Sequence, residues 1–235
     1  ACHAADVQVV FATGEWPPYT SELLPDYGAA TALVSAISKA GGIEPVYRFY
    51  PWKRAELKVA QGDVFAAFPY AISKERKTTY DFSEVLFYGV NVFVYYQKQL
   101  KADVASTAQS LDDLHGYRVG CISGSFLYSL LEKAGLNYEP TTTIDQSLQK
   151  LVAGRLDLII DNQDVIFHAV QRLYPNEMYH FKTLPIPLEK TPTALLVSRE
   201  YPGSKAILNK FNKGLSIIKK NGEYDRIINK YRMTQ

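Results

Sequence analysis

Few side chains in this sequence combine a reactive type with a telling position. Arg76 lies in Tyr70-Ala71-Ile72-Ser73-Lys74-Glu75-Arg76, just past the end of an expected buried strand. A guanidinium at the carboxyl end of an α/β strand can form a bidentate pair with a ligand carboxylate, and ligands favour that crevice. The competing reading is a surface arginine in the charged run Lys74-Glu75-Arg76-Lys77. Asp161 directly follows the apolar run Leu156-Asp157-Leu158-Ile159-Ile160, so it should emerge at the carboxyl end of a second strand. There a carboxylate either receives a ligand ammonium or caps the helix expected from Asn162 onward. Ser125 follows Gly124 and opens a helix, so its hydroxyl and the first backbone N–H groups suit an anion or a plain N-cap. Trp16, in the Pro-flanked turn Gly14-Glu15-Trp16-Pro17-Pro18-Tyr19, and Trp52, after Pro51, place large rings at loop–element junctions, as ligand walls or as packing.

Other chemistries lack their parts. There is no Walker loop, no G-x-G-x-x-G after a strand, no H-E-x-x-H and no G-x-S-x-G, which removes the usual nucleotide, metalloprotease and α/β-hydrolase devices. The histidines His3, His115, His168 and His180 are far apart and read as structural or solvated. Cys121 sits in the apolar strand RVGCI and reads as a buried structural thiol, since a reactive one needs an exposed, electropositive site. Cys2 and Cys121 have no metal-ligand spacing, and nothing supports a bridge between them. No metal and no cofactor is expected.

At 235 residues the chain can bury one or two sizeable lobes. The hydrophobic share of 47% excludes disorder, and 26 Lys+Arg against 24 Asp+Glu, a net charge of +2, argues against a nucleic-acid partner. No run of about 18 apolar residues could span a membrane. The aromatic share, 13%, exceeds what a core alone usually demands. The opening Ala1-Cys2-His3-Ala4-Ala5-Asp6 reads as the small-residue tail of a removed export signal, with a lipoprotein-type anchor at Cys2 as the alternative.

The elements that must position these groups alternate. A β-rich run over 7–12 leads into the Trp16 turn. Ala29, Leu33, Ala36, Ile37 and Ala40 recur at helical spacing and stop at Gly41-Gly42. A strand over 45–50, a helix over 52–60 ending at Gly62, and a buried strand over 64–68 complete βαβαβ. Later, a helix over 148–153, Gly154 and a strand over 156–160 repeat the helix–glycine–strand sentence, beside a strand over 117–122 and a helix over 125–133. Such alternation implies two α/β lobes. The extended segments 91–97 and 184–192 are the expected crossings that form a hinge, and 204–220 and 224–232 read as helices broken at Asn221-Gly222.

Together with Tyr80-Asp81-Phe82-Ser83, Tyr117-Arg118-Val119-Gly120, Gly154-Arg155-Leu156-Asp157, Phe211-Asn212-Lys213-Gly214 and Asn221-Gly222-Glu223-Tyr224-Asp225, these motifs resemble the bacterial extracellular solute-binding proteins of family 3, the periplasmic polar amino-acid-binding type. The resemblance covers nearly the whole chain. It implies an α/β, two-lobe periplasmic binding protein (type II) with a hinge of two crossing strands. Lobe 1 would hold 1–92 and 193–235, and lobe 2 would hold 93–192. By position, Arg76 would hold an α-carboxylate, Asp161 an α-ammonium, Trp16 and Trp52 would sandwich the ligand side chain, and Ser125 would lie beside the carboxylate. Glu15, Phe68, Tyr70, Ala71 and Phe126 complete the expected ligand-binding set.

The sequence also departs from the family pattern. Phe68-Pro69-Tyr70-Ala71 stands where small hydroxyl residues are usual, Phe126 replaces the second hydroxyl of the lobe-two turn, and no acidic residue opens the first helix. The implied site is therefore more aromatic than a standard amino-acid site. The implied protein is a periplasmic monomer that passes a small amino acid or related carboxylate to the membrane permease of an ABC transporter, with no enzymatic activity. Two rivals remain: an enzyme resembling cyclohexadienyl dehydratase, with Glu15 or Asp161 as acid or base, and the sensing lobe of a signalling receptor.

Overall fold

A computed structural model describes residues 7–99 and 107–233. Cys2 and His3, with the export and anchor readings that rest on the first residues, lie outside the described residues. The chain divides into two compact units. The first contains the described residues up to Gly89 and from Thr191 onward, and the second runs from Val90 to Lys190.

In the first unit, β1 (Val7–Thr13), α1 (Ala29–Ala40), β2 (Ile43–Phe49), α2 (Trp52–Ala60) and β3 (Ala66–Ala71) follow the expected βαβαβ order. α3 (Lys74–Thr79), β4 (Asp81–Phe82) and β5 (Phe87–Gly89) follow. After the second unit, the chain returns as β11 (Thr191–Val197), α7 (Ser204–Lys220) and α8 (Glu223–Tyr231). The sheet order is β2-β1-β3-β11-β4, with β5 also on β11; β1 runs parallel to β2 and β3, and β11 runs antiparallel.

The second unit contains β6 (Asn91–Tyr96), β7 (Val119–Ile122), α4 (Leu127–Lys133), β8 (Tyr138–Thr141), α5 (Ile144–Val152), β9 (Leu158–Asn162), α6 (Gln163–Leu173) and β10 (Phe181–Thr183). Its sheet order is β10-β6-β9-β7-β8, again with a parallel triple, β8-β7-β9, joined by an antiparallel strand, β6. The helix–glycine–strand repeat read from the sequence is therefore structural: α2 leads through Gly62 to β3, and α5 leads through Gly154 to β9. Both glycines have positive φ, +73° and +69°, a backbone state that L side chains rarely adopt.

Element boundaries moved where tertiary pairing outweighed local pattern. The strand expected over 64–68 is Ala66–Ala71, because β11 offers partners as far as Thr193↔Ala71. The strand expected over 156–160 is Leu158–Asn162, since β6 pairs Val92 with Asp161 and Asn91 with Asn162. Asp161 is thus the penultimate residue of β9, at its carboxyl end. Segment 91–97 is not a bare connection: its residues Asn91–Tyr96 form β6, hydrogen-bonded on both sides within the second unit. The helix expected from Ser125 begins at Leu127.

The first unit closes through α1 and α7. α1 buries Leu33, Val34 and Ile37, each contributing about 1.5–3 kcal/mol on burial. Gly41 and Gly214 let the two helical backbones touch. A Cβ on Gly214 would lie 2.1 Å from the Ile37 carbonyl oxygen, and one on Gly41 would lie 2.4 Å from that of Lys210. Alanine is the better helix former by about 1 kcal/mol at such a position, yet overpacking costs about 1–3 kcal/mol, and here the obstacle is backbone. Gly214→Ala is expected to lower the unfolding free energy by about 1–2 kcal/mol in urea titration; an unchanged or higher midpoint would refute the close-packing account.

Candidate functional site

The carboxyl end of β3 carries the densest constellation in the first unit. Along β3, Tyr70 pairs with Ala194 and Ala67 with Leu196, so β3 advances three residues while β11 advances two. This bulge brings Tyr70 and Ala67 into one apolar cluster with Ala55, Val59 and Tyr80, despite their odd spacing. The Tyr70 hydroxyl donates to the Trp52 carbonyl at 2.9 Å, and the two rings meet edge to face at 5.6 Å. Burial pushes the Tyr70 phenol well above its ordinary pKa, reinforced by the Glu56 charge and opposed by Arg76. It remains a neutral donor.

Arg76 is not a surface residue of a charged loop. Its side chain is only 15% exposed, and the guanidinium lies over the Tyr70 ring at 4.8 Å. Nε and Nη2 donate to Glu56 Oε1 and Oε2 at 3.4 and 3.3 Å, and Nη1 donates to the Ala71 carbonyl at 3.4 Å. Ser73 caps α3 by accepting from the Arg76 backbone N–H, which sets where the side chain leaves the helix. Ala71 takes part through its carbonyl alone.

Trp52 reaches this cluster from the first turn of α2 and also lies against Gly14. A Cβ on Gly14 would sit 2.7 Å from the indole, so the turn after β1 and the start of α2 interlock only because residue 14 has no side chain. Two residues on, the Trp16 ring stacks on Tyr19 at 4.8 Å, and Tyr19 stacks on Phe87 at 5.1 Å. Glu15 points elsewhere: it is exposed, and Oε1 accepts from the Glu22 backbone N–H at 2.8 Å, fastening its own loop. Phe68 requires a correction. It is fully buried and packs against Phe11 and Tyr47, with ring centroids at 6.2 and 5.7 Å, so it belongs to the core and offers no open face for a ligand.

In the second unit, Ser125 and Asp161 both act on Cys121. Burial pushes the Cys121 thiol up to about 12, the Asp161 charge adds to this, and a hydrogen bond with Ser125 opposes it. Cys121 is a buried, free thiol, as expected. Asp161 is 5% exposed, and its Oδ1 accepts from the Asn162 backbone N–H at 2.6 Å. The helix cap is made by the neighbour: Asn162 Oδ1 accepts from the N–H groups of Asp164 and Val165. The Ser125 hydroxyl accepts from the Leu127 N–H at 3.2 Å, a local turn bond just ahead of α4. Phe126 is half-buried against the core of this unit.

The first unit thus brings together Trp52, Tyr70, Ala71 and Arg76 from the expected set, with Phe68 and Glu15 engaged elsewhere. Glu56 was missed. Its signal was present, because Trp52 and Glu56 are four apart on α2 and so share a face. Among the described residues, no group of three or more His, Cys, Asp or Glu could hold a metal ion, and no helix is long and apolar enough to cross a membrane.

Two α/β units, each a parallel triple joined by one antiparallel strand, with charged groups near the carboxyl ends of central strands, make the frame of a two-lobe binding protein. The chain belongs to the bacterial extracellular solute-binding proteins, family 3, whose model matches residues 9–234. No curated protein sequence matches it. Among solved structures, it is similar to an ancestral arginine-binding protein bound to arginine, at 24% identity and a TM-score of 0.79, covering 97% of this chain and 99% of that one. It is also similar to a histidine kinase sensor domain with similarity to periplasmic binding proteins, at 19% identity and a TM-score of 0.84, covering 98% and 99%. A third is an ancestral amino-acid-binding protein described as a precursor of cyclohexadienyl dehydratase, at 17% identity and a TM-score of 0.77, covering 95% and 94%. The fold is the two-lobe periplasmic-binding-protein fold of these structures.

In a Cys2→Ser background, native Cys121 is expected to react with a disulfide reagent at pH 8 on the order of 10³-fold more slowly than glutathione, because so little of it is thiolate. A glutathione-like rate, followed by absorbance, would contradict the assigned environment.

Proposed function

We propose that the protein captures a small amino-acid-like or otherwise charged organic solute outside the cytoplasm and delivers it to an ABC transporter permease. Arg76 holds a carboxylate of the solute and Asp161 its ammonium, with Trp52 and Trp16 as apolar walls. Family membership supports the binding role. The observation that carries the site is Arg76 itself: a largely buried guanidinium on a tyrosine face, supported along its Nε–Nη2 edge by Glu56 and at Nη1 by the Ala71 carbonyl. A guanidinium has five N–H donors, so those contacts leave one N–H on each of Nη1 and Nη2 for a carboxylate meeting it end-on. Asp161 supplies the opposite charge, also largely buried, and its capping duty is taken by Asn162.

Of the carboxylates the enzymatic rival offered, Glu15 is exposed and accepts from the Glu22 backbone N–H, which supports a loop-fastening role for it. The dehydratase-precursor and sensor-domain structures share the fold at under 20% identity, which supports neither turnover nor signalling here.

Calorimetry against a panel of L-amino acids is expected to find a ligand, and Arg76→Ala should weaken it about 10²-fold or more, the scale of losing a charge-assisted bidentate pair. Unchanged affinity of the Arg76→Ala protein for a confirmed ligand would remove Arg76 from the site. Prephenate turnover by the purified protein would favour the enzyme instead.

A further inference from the structure

We infer that Glu56 is a specificity-determining residue of this site, one that disfavours net-anionic solutes at Arg76 and favours zwitterionic or cationic ones. The inference rests on the reading that Arg76 holds the solute's carboxylate. Glu56 reaches Arg76 from α2, one turn beyond Trp52, and its carboxylate faces the side edge of the guanidinium. Contacts of 3.3 and 3.4 Å are longer than the 2.7–2.9 Å of a tight charge-assisted pair, so Glu56 flanks the guanidinium without clamping it. Its charge is nonetheless felt across the cluster. Burial raises the phenols of both Tyr70 and Tyr80, Glu56 raises them further, and Arg76 opposes it.

A carboxylate binding the end-on edge of Arg76 therefore shares one positive charge with a second carboxylate already beside it. The pair tolerates one such group from a solute that brings its own cation. A solute carrying a further negative charge adds repulsion from Glu56, and the cation that Glu56 contacts, Arg76, is already drawn on by it. Both groups are partly withdrawn from water, with side-chain exposures of 15% for Arg76 and 29% for Glu56, so solvent screening is incomplete.

The test is calorimetry of the wild type, Glu56→Gln, Glu56→Asp and Arg76→Ala with L-arginine, L-glutamine and L-glutamate as probes. Glu56→Gln is expected to raise the ratio of L-glutamate to L-arginine affinity by about tenfold, a scale set by removing one like charge next to the bound group. Glu56→Asp, which keeps the charge, should hold the ratio near wild type, and L-glutamine should fall between the other two probes. If Glu56→Gln weakens all three probes equally, or if Glu56→Asp behaves like Glu56→Gln, Glu56 is a packing residue and the inference is overturned while the Arg76 site stands. If the wild type binds none of the probes, this inference is overturned, and if Arg76→Ala binds them unchanged, the Arg76 reading fails and this inference fails with it.

Discussion

A guanidinium that is only 15% exposed has to be compensated, because withdrawing an ion from water costs several kcal/mol even after relaxation. Arg76 is compensated on three sides: by the Tyr70 ring below it, by the Glu56 carboxylate along one edge, and by the Ala71 carbonyl. Each partner is fixed by a different element. Tyr70 is turned into place by the bulge in β3 and held by its hydroxyl on the Trp52 carbonyl. Glu56 comes from α2 and Ala71 from the end of β3, while Ser73 caps the helix that carries Arg76. The cation thus ties the carboxyl end of the central strand to both flanking helices.

The two units meet the same requirement by different chemistry. Each has three parallel strands joined by one antiparallel strand, and in each a helix, a left-handed glycine and a buried strand lead to a charged group. In the first unit the charge is positive and lies on aromatic rings. In the second it is the carboxylate of Asp161 inside β9, beside a thiol that burial and this carboxylate keep protonated. Asn162 takes the helix-capping role, which separates the structural duty from the charged one by a single residue.

Of the ring excess in the composition, much is structural. Phe11, Phe65, Phe68 and Phe211 form a buried set of tilted and edge-to-face pairs, and Tyr19 carries Trp16 on one side and Phe87 on the other. Trp52 and Tyr70 are the rings tied to the charged cluster. The departure Phe68-Pro69-Tyr70-Ala71 therefore divides its work: Phe68 fills the core, and Tyr70 replaces small hydroxyl groups with one neutral phenol whose donor is already engaged.

The sequence by itself determined the alternation of elements, the α1 and α2 helices to the residue, the helix–glycine–strand repeat and the family. These rest on local periodicity, on glycine's access to positive φ and on motif order, all of which are properties of neighbouring residues. It also singled out Arg76 and Asp161, since each follows closely on an apolar run that belongs to a buried strand. Only the tertiary structure decided what those groups touch. Which way Phe68 and Tyr70 face depends on a bulge set by pairing with β11, a strand more than a hundred residues away. Whether Glu15 or Glu56 stands beside a cation depends on which helix packs against β3. Burial, pairing and charge compensation are long-range quantities, and no window of local sequence contains them.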